Sequence, residues 1–465
     1  MSLRARVVRS GVYLTLRQGL GIAIGTVGMI LIIRAIGPEA YGLYAAAGSI
    51  EIYFFVICRF GIDAYLVRRR EEPQPHDYHQ AFTLYLLLGL AGAVSAVLAL
   101  PFLDRWMGIE GFGPVYAAML VTLPVQLSQL TPMARIQRAL DFQRVALIEL
   151  SGQIALYVVA LPLAYQGLGP WALVIGMWTQ YLLILGSLYR VSGYRPQLYW
   201  ESARVRAMVG YGIGYSANGW VYELRHLINP LIVGRYAGAE AVGQVALAIR
   251  LLEQFNSVVE LSFVRVALPV FARLQEDRAR LVKAVNEGTS LQPMILGPLL
   301  AGFALVAPWV IPLLVGPEWL PMLEVYPLLA VSYLSRAVFS MQAAALQVLR
   351  RIWELATFSL VYIVLFAGLA FLLVPHLGLI GYGWAAVAGT ILGSYIPLSI
   401  LGRVYIGRIS HTQAGVWFTA WAIPLFSWQL GSWAWISPIL PLIWPPTRRE
   451  LWHAIVMVLK STPRP

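Results

Sequence analysis

Long apolar runs separated by short polar ones fill the chain from end to end. Runs of span length lie at roughly 11–33, 41–66, 80–103, 114–133, 145–166, 170–189, 207–233, 241–268, 286–315, 319–347, 355–375, 379–402 and 413–430. A hydrocarbon core about 30 Å thick takes about 20 apolar residues as one helix, so each run reads as one pass. A fourteenth run near 432–446 is short and crowded by Pro438, Pro441, Pro445 and Pro446, and is left open. Beyond it, RRELWHAIVMVLK (448–460) has the pattern of an amphipathic helix lying on a membrane surface. The pattern predicts an all-α polytopic membrane protein with 13–14 transmembrane spans.

Composition narrows this further. Of 465 residues 59% are hydrophobic and 12% charged, and the mean hydropathy is +0.69. A soluble domain carries about a quarter charged residues, so no large soluble domain fits. The basic N-terminal stretch runs straight into a span-length apolar run with no small-residue cleavage site, which predicts a first span rather than a cleaved leader. The lone Cys58 excludes a disulfide framework, an Fe–S cluster or a Cys-rich metal site. The net charge of +12 does not point to nucleic acid, because the basic residues recur in short clusters between the apolar runs. With the N-terminus placed inside, 25 of the 34 Lys and Arg fall in inside segments. Only Arg34, Arg105 and Arg235 fall outside, and the other six lie within spans. That asymmetry predicts a cytoplasmic N-terminus.

The two halves repeat. GPEAYGLYAAA (37–47) aligns with GAEAVGQVALA (238–248), and Arg34 with Arg235, at an offset of 201. GPVYAAMLVTLP (113–124) aligns with GPEWLPMLEVYP (316–327) at 203, Gln137 with Gln347 at 210, and WALVIG (171–176) with WAAVAG (384–389) at 213. The offsets climb slowly and in chain order, as small insertions produce. Paired spans share parity, so the repeats are parallel, related by an axis along the membrane normal. The expected organisation is an N-terminal six-helix lobe (1–190), a cytoplasmic connection (191–206), a C-terminal six-helix lobe (207–403), extra helices (404–446) and a tail (447–465).

Charges within spans cost about 2.5–3.5 kcal/mol on insertion scales and normally face a partner or a cavity. In the seventh span Tyr211, Tyr215, Asn218, Tyr222, Arg225 and Asn229 follow the helical period and form one face. That face either bonds neighbouring helices or walls a cavity in which sugar hydroxyls are held and tyrosines stack on sugar rings. In the eighth span Arg250, Glu253, Ser257 and Glu260 share a face. Arg250 and Glu253 either neutralise each other or offer a phosphate the planar fork of an arginine. Arg17 heads a row with Gly21, Gly25 and Gly28. The glycines permit close helix packing, and Arg17 either snorkels to the surface or meets a ligand. In the second span Arg59 and Asp63 are four apart and should pair, with Glu51 two turns away on that face. No Walker A loop, GxSxG elbow, HExxH or Rossmann fingerprint occurs, so neither an enzyme nor a cofactor is expected. His76 and His79 have no further ligand cluster near them in sequence, and no metal site is expected there.

Several segments together resemble the polysaccharide transport (Wzx-like) branch of the multidrug/oligosaccharidyl-lipid/polysaccharide exporter superfamily. They are IIRAIGPEAYGLYAAA (32–47), RIQRALDFQRVALIEL (135–150), GLGPWALVIG (167–176), INPLIVGRYAGAEAVGQVALAIRLLE (228–253) and LPVFARLQEDRARL (268–281). The resemblance covers nearly the whole chain and weakens after about residue 410. It implies alternating access by two helical lobes in the plasma (inner) membrane. The implied cargo is an undecaprenyl-pyrophosphate-linked oligosaccharide, passed from the cytoplasmic to the outer leaflet, with other membrane proteins of polysaccharide assembly as partners. In the related lipid II flippases, arginines on the first, second and eighth spans are linked to the pyrophosphate. Arg250 matches the eighth-span motif, whereas Arg17 and Arg59 match by span. The cavity residues expected on this basis are Arg250, Arg17, Arg59, Arg225, Asn218, Tyr215, Tyr222 and Glu253. Where many members carry an acid, this chain has Asn229, which bears on ion coupling. Two other readings stay open. An ion-coupled small-molecule exporter on the same fold would favour acids over arginines in its cavity. A membrane-embedded glycosyltransferase or polymerase would need a larger outside loop than the ten or so residues of 104–113.

Overall fold

A computed structural model describes residues 3–69 and 71–461, with the side chains of 3–18, 218, 258, 260–266 and 454–461 outside the description. The helices in chain order are α1 (Leu3–Arg59), α2 (Ile62–Arg68), α3 (Pro75–Met107), α4 (Phe112–Leu120), α5 (Leu123–Arg138), α6 (Phe142–Tyr165), α7 (Pro170–Ser192), α8 (Ser202–Glu223) and α9 (Gly234–Leu274). They continue as α10 (Arg278–Leu314), α11 (Met322–Val348), α12 (Ile352–Thr390), α13 (Ile396–Leu401), α14 (Thr412–Ala422), α15 (Ser427–Leu430), α16 (Leu440–Ile443) and α17 (Pro445–Ser461). No strand occurs among the described residues. Contacts group the chain into two compact units. One runs up to Gln244 and takes in Leu314–Trp319; the other comprises Val245–Leu313 and the chain from Leu320 on.

Among the described residues, seven helical stretches are long and apolar enough to cross a membrane. Two of them, Gly19–Arg59 (41 residues) and Ile352–Ile406 (55 residues), would be about 60 and 80 Å long at 1.5 Å per residue, twice a bilayer core or more. Each therefore holds two passes, and each bends where a glycine leaves helical geometry. Gly37 sits at φ 76, ψ 174 inside α1, a conformation essentially closed to residues with a Cβ, and Pro38 restarts the helix after it. Gly378 breaks helical geometry inside α12 at φ 55, ψ −132, with Pro375 three residues before it. The segment left open as a fourteenth span, Ser432–Ile443, is apolar but shorter than a bilayer crossing. Its prolines keep it in 3₁₀ and one-turn pieces.

The repeat is written in the backbone. Gly238 inside α9 takes φ 82, ψ 179, matching Gly37 at the sequence offset of 201. Leu140 (φ 57) and Arg350 (φ 61), 210 apart, are both left-handed non-glycine residues. The glycine row of the first span is a packing face. Gln153 Nε2 of α6 donates to Gly21 O at 2.8 Å, Tyr157 Oη donates to Gly25 O at 3.0 Å, and the Tyr157 ring lies over Gly28. Glu51 bonds to a neighbouring helix. It is buried and accepts a hydrogen bond from Gln126 Nε2 of α5, which also bonds Thr122 Oγ1 at 2.8 Å.

Candidate functional site

The second pass does not run smoothly to its end. α1 stops at Arg59, Phe60 (φ 52) and Gly61 (φ 63) are left-handed, and α2 restarts at Ile62. Gly61 adopts this freely, but for Phe60 the conformation costs about 1–2 kcal/mol, so its surroundings must hold it. The Phe60 ring packs on Trp220 of α8 at 4.8 Å, and Trp220 Nε1 donates to Val56 O at 3.1 Å. Gly212 of α8 lies so close to the Phe60 carbonyl that a Cβ there has no room.

Across this break Arg59 and Asp63 form the expected pair as a two-pronged contact, Nη2–Oδ2 at 2.6 Å and Nε–Oδ1 at 3.2 Å. Asp63 is fixed a second time by Tyr85, whose hydroxyl receives the Asp63 backbone N–H at 2.7 Å and donates to Oδ1 at 3.2 Å. The Asp63 side chain is 16% exposed while that of Arg59 is 46% exposed. The break therefore anchors the carboxylate and leaves the guanidinium accessible.

The facing part of α8 supplies aromatic rings. Tyr211 and Tyr215 stack nearly parallel, 12° between planes and 6.1 Å between centres, and Tyr65 of α2 meets Tyr211 edge-on at 5.6 Å. Arg68, the last residue of α2, lies 5.1 Å over the half-exposed Tyr215 ring. Arg59, Arg68, Tyr65, Tyr211 and Tyr215 thus form one basic, aromatic patch. Its geometry suits an anionic, polyhydroxylated ligand: guanidinium forks for phosphate oxygens and ring faces for the apolar side of a sugar. Sequence reasoning missed Arg68 and Tyr65. Arg68 counted only as part of a basic flank, and Tyr65 becomes a neighbour of α8 only through the break at Phe60–Gly61.

Further along, the expected helical face is interrupted. After Glu223 the chain tightens to a 3₁₀ turn (Leu224–Leu227) and then widens to a π turn (Asn229–Val233), so Arg225 and Asn229 do not continue the row that Tyr211 and Tyr215 begin. Pro230 is the physical reason. It has no N–H to give to the preceding turn, and its ring displaces that turn's carbonyl. Arg225 folds back on its own turn, Cζ 3.6 Å from the Tyr222 ring and Nη1 bonded to Tyr222 O at 3.2 Å. Asn229 is 5% exposed. Its Nδ2 donates to Val242 O at 3.3 Å, and its Oδ1 has no hydrogen-bond partner among the described residues.

Arg250 and Glu253 are one turn apart on α9, in the other compact unit, with Glu253 exposed and Arg250 half-buried. Ser257 Oγ bonds its own helix at Gln254 O, 2.8 Å. The side chains of Arg17, Asn218 and Glu260 lie outside the described residues. The two histidines of the first polar connection meet the segment before α8: His76 stacks on Tyr199 at 4.6 Å, and His79 Nδ1 is 3.1 Å from Tyr194 Oη. That segment ends at Glu201, whose carboxyl is held below the usual range by hydrogen bonds from Arg204 and Tyr199.

The succinoglycan biosynthesis transport protein ExoT of Rhizobium meliloti (strain 1021) is 24% identical over 374 residues, 80% of this chain and 73% of the relative. The lipopolysaccharide biosynthesis protein WzxC of Escherichia coli (strain K12) is 24% identical over 347 residues, 73% and 69% of the two chains. Among solved structures, the lipid II flippase MurJ in an inward closed conformation superposes with a TM-score of 0.71 at 14% identity, over 94% of this chain and 99% of that one, and so shares the fold. The family model described as polysaccharide biosynthesis protein matches residues 31–324, well over half of the sequence, and this multi-pass membrane protein belongs to that family.

Proposed function

We propose that the protein is a flippase that moves a polyprenyl-pyrophosphate-linked oligosaccharide from the cytoplasmic to the outer leaflet of the plasma membrane by alternating access. The observation that carries this reading is the accessible Arg59 guanidinium beside Arg68 and the Tyr211–Tyr215 stack. A pyrophosphate brings negative charge that must leave water, and arginine stays charged while offering two parallel donors to it. A sugar ring brings an apolar face and a rim of hydroxyls, for which a half-exposed tyrosine is a partner. The names of the relatives, one of them a succinoglycan transport protein, point to the same cargo class. Counting Lys and Arg supports a cytoplasmic N-terminus. Arg250 and Glu253 on α9, and Arg17 on α1, are proposed as further cargo contacts, and the lobes 1–190 and 207–403 as the moving parts.

Deletion and complementation in cells test the function. Loss of the protein should remove the surface polysaccharide and leave lipid-linked precursor on the cytoplasmic face. Arg250→Ala, at normal membrane level, should do the same in part. Unchanged display and precursor pools, together with greater sensitivity to toxic small molecules, would replace this reading with the multidrug-type exporter.

A further inference from the structure

Asp77 stands in the first turn of α3, where its carboxylate caps the helix by accepting the Gln74 backbone N–H at 2.8 Å. Capping needs no burial, yet the Asp77 side chain is only 2% exposed and is gripped from two further elements. Arg69 Nη1, just past the end of α2, donates to Oδ2 at 3.2 Å, and Arg204 Nη1, in the first turn of α8, donates to Oδ1. Arg204 also reaches Gln74 Oε1 at 3.3 Å and pairs with Glu201. All of these residues belong to one compact unit. Both arms lead to the basic, aromatic patch. Arg69 follows directly on Arg68, whose guanidinium lies 5.1 Å over the Tyr215 ring. Arg204 shares a helical face with Met208, Tyr211 and Tyr215, and Met208 is buried in one cluster with Ile62 and Leu66 of α2. The other side of the turn after α2 is closed by Arg138 of α5. It donates to the carbonyls of Leu66 and Arg69 at 3.0 Å and of Glu71 at 2.7 Å, and so takes up acceptors that a helix end leaves open. The second copy of the repeat has no counterpart. At offsets of 201–203 from Asp77 it carries Arg278, Ala279 and Arg280, and the stretch matching 68–69 lies inside α9.

We propose that Asp77 is a positioning residue for the cargo: by bridging Arg69 and Arg204 it sets the end of α2 against the start of α8, and so fixes where Arg68 stands relative to the Tyr211–Tyr215 stack. This rests on the flippase reading for the identity of the cargo. Each carboxylate oxygen takes a charge-assisted bond of defined direction, so the carboxylate sets the separation of the two arginines. An amide at this position would cap α3 as well, but it carries no charge with which to hold two guanidiniums. Shut off from solvent, Asp77 does not meet the cargo itself and acts through Arg68 and the tyrosines.

Titration of the purified full-length protein in detergent with undecaprenyl pyrophosphate, the carrier without its glycan, tests this. Asp77→Asn should weaken binding about tenfold. In protein that already carries Arg68→Ala and Tyr215→Ala the same change should cost less than about twofold, because the groups it positions are gone. No loss in the parent, or an equal loss in both backgrounds, overturns the proposal, the second outcome leaving Asp77 a structural residue only. Spin labels at Glu72→Cys and Ala207→Cys, exposed positions beside the two arms, in a Cys58→Ala background, read the spacing by pulsed electron resonance without any cargo. The parent should give one narrow distance and Asp77→Asn a broadened one; an unchanged distribution also overturns the proposal. Arg204→Lys, which keeps the charge but not the fork, guards against a misfolded Asp77 variant. It should weaken binding about threefold, and full affinity refutes the proposal. If Arg68→Ala alone leaves binding unchanged, it is the cargo reading of the patch that fails, and the label distances decide separately whether Asp77 holds the two elements together.

Discussion

The two copies of the repeat match where their paired spans join and differ at the far ends of the same spans. At the junctions Gly37 and Gly238 bend alike, and Gly42 and Gly243 pack alike. At the far end the first copy breaks at Phe60–Gly61, while α9 runs unbroken through the matching positions 261–262. The first and seventh spans diverge in the same way. Gly21, Gly25 and Gly28 of span 1 pack against Gln153 and Tyr157, and their mates at the offset of 201 are Tyr222, in the last turn of α8, and His226 and Asn229, in the stretch after it that leaves α-helical geometry. Symmetry is kept at the junctions of the paired spans and given up at their far ends, where the proposed cargo residues lie. That division fits a cargo with one pyrophosphate and one glycan, which no two-fold symmetric site can recognise as a whole.

The sharpest test of this division removes the charge that the break exposes. Arg59→Ala should lower polysaccharide display by about ten- to a hundredfold, the loss expected from a charge-assisted hydrogen bond of about 1.5–3 kcal/mol. Arg59→Lys should fall between, because it keeps the charge but not the fork. Asp63→Asn separates the two roles of the pair. If Arg59 serves the cargo, freeing it from Asp63 leaves display largely intact; if the pair only pins the break, Asp63→Asn fails as badly as Arg59→Ala.

A smaller effect comes from forcing the first copy toward the regularity of the second. A Cβ at Gly61 would stand 2.7 Å from the Tyr215 ring and 2.9 Å from Ser216 Oγ, on a backbone at φ 63. Gly61→Ala should therefore cost about 1–2 kcal/mol in thermal unfolding and lower display by tilting Tyr215 away from Arg68. Equal stability and display would mean that the break is not what sets the patch.

Which of this was legible in the sequence follows the same line. The spans and their pairing into repeats could be read, with Gly37 and Gly238 aligned at the junctions, because apolar period and glycine position act locally and recur; the bends those two glycines make were seen only in the structure. The Arg59–Asp63 pair could be read from a four-residue spacing, although it forms across a helix break rather than along one turn. The break itself could not be foreseen. Phe60 is left-handed only because Trp220 and Gly212, about 150 residues away, hold it there. The seventh span misled for a related reason. A regular 4-3-4 spacing assumes an unbroken α-helix, and Pro230 removes that assumption for Arg225 and Asn229. Arg68 was hidden in a run of three arginines, where a topological signal and a binding group look alike.

The mildest prediction concerns Asn229, the mate of Gly28 and the position where many relatives were expected to carry an acid. Its amide gives one long hydrogen bond to Val242 O at 3.3 Å, and its Oδ1 is buried with no partner among the described residues. Removing the side chain loses a weak bond but also removes an unsatisfied acceptor, and these terms oppose each other. Asn229→Ala should thus change thermal stability by less than about 1 kcal/mol and leave display near the parent level. A deep loss of display at unchanged stability would be informative in the other direction. It would mean that Oδ1 takes a partner during the cycle, and that the π turn holds a ligand rather than merely absorbing a proline.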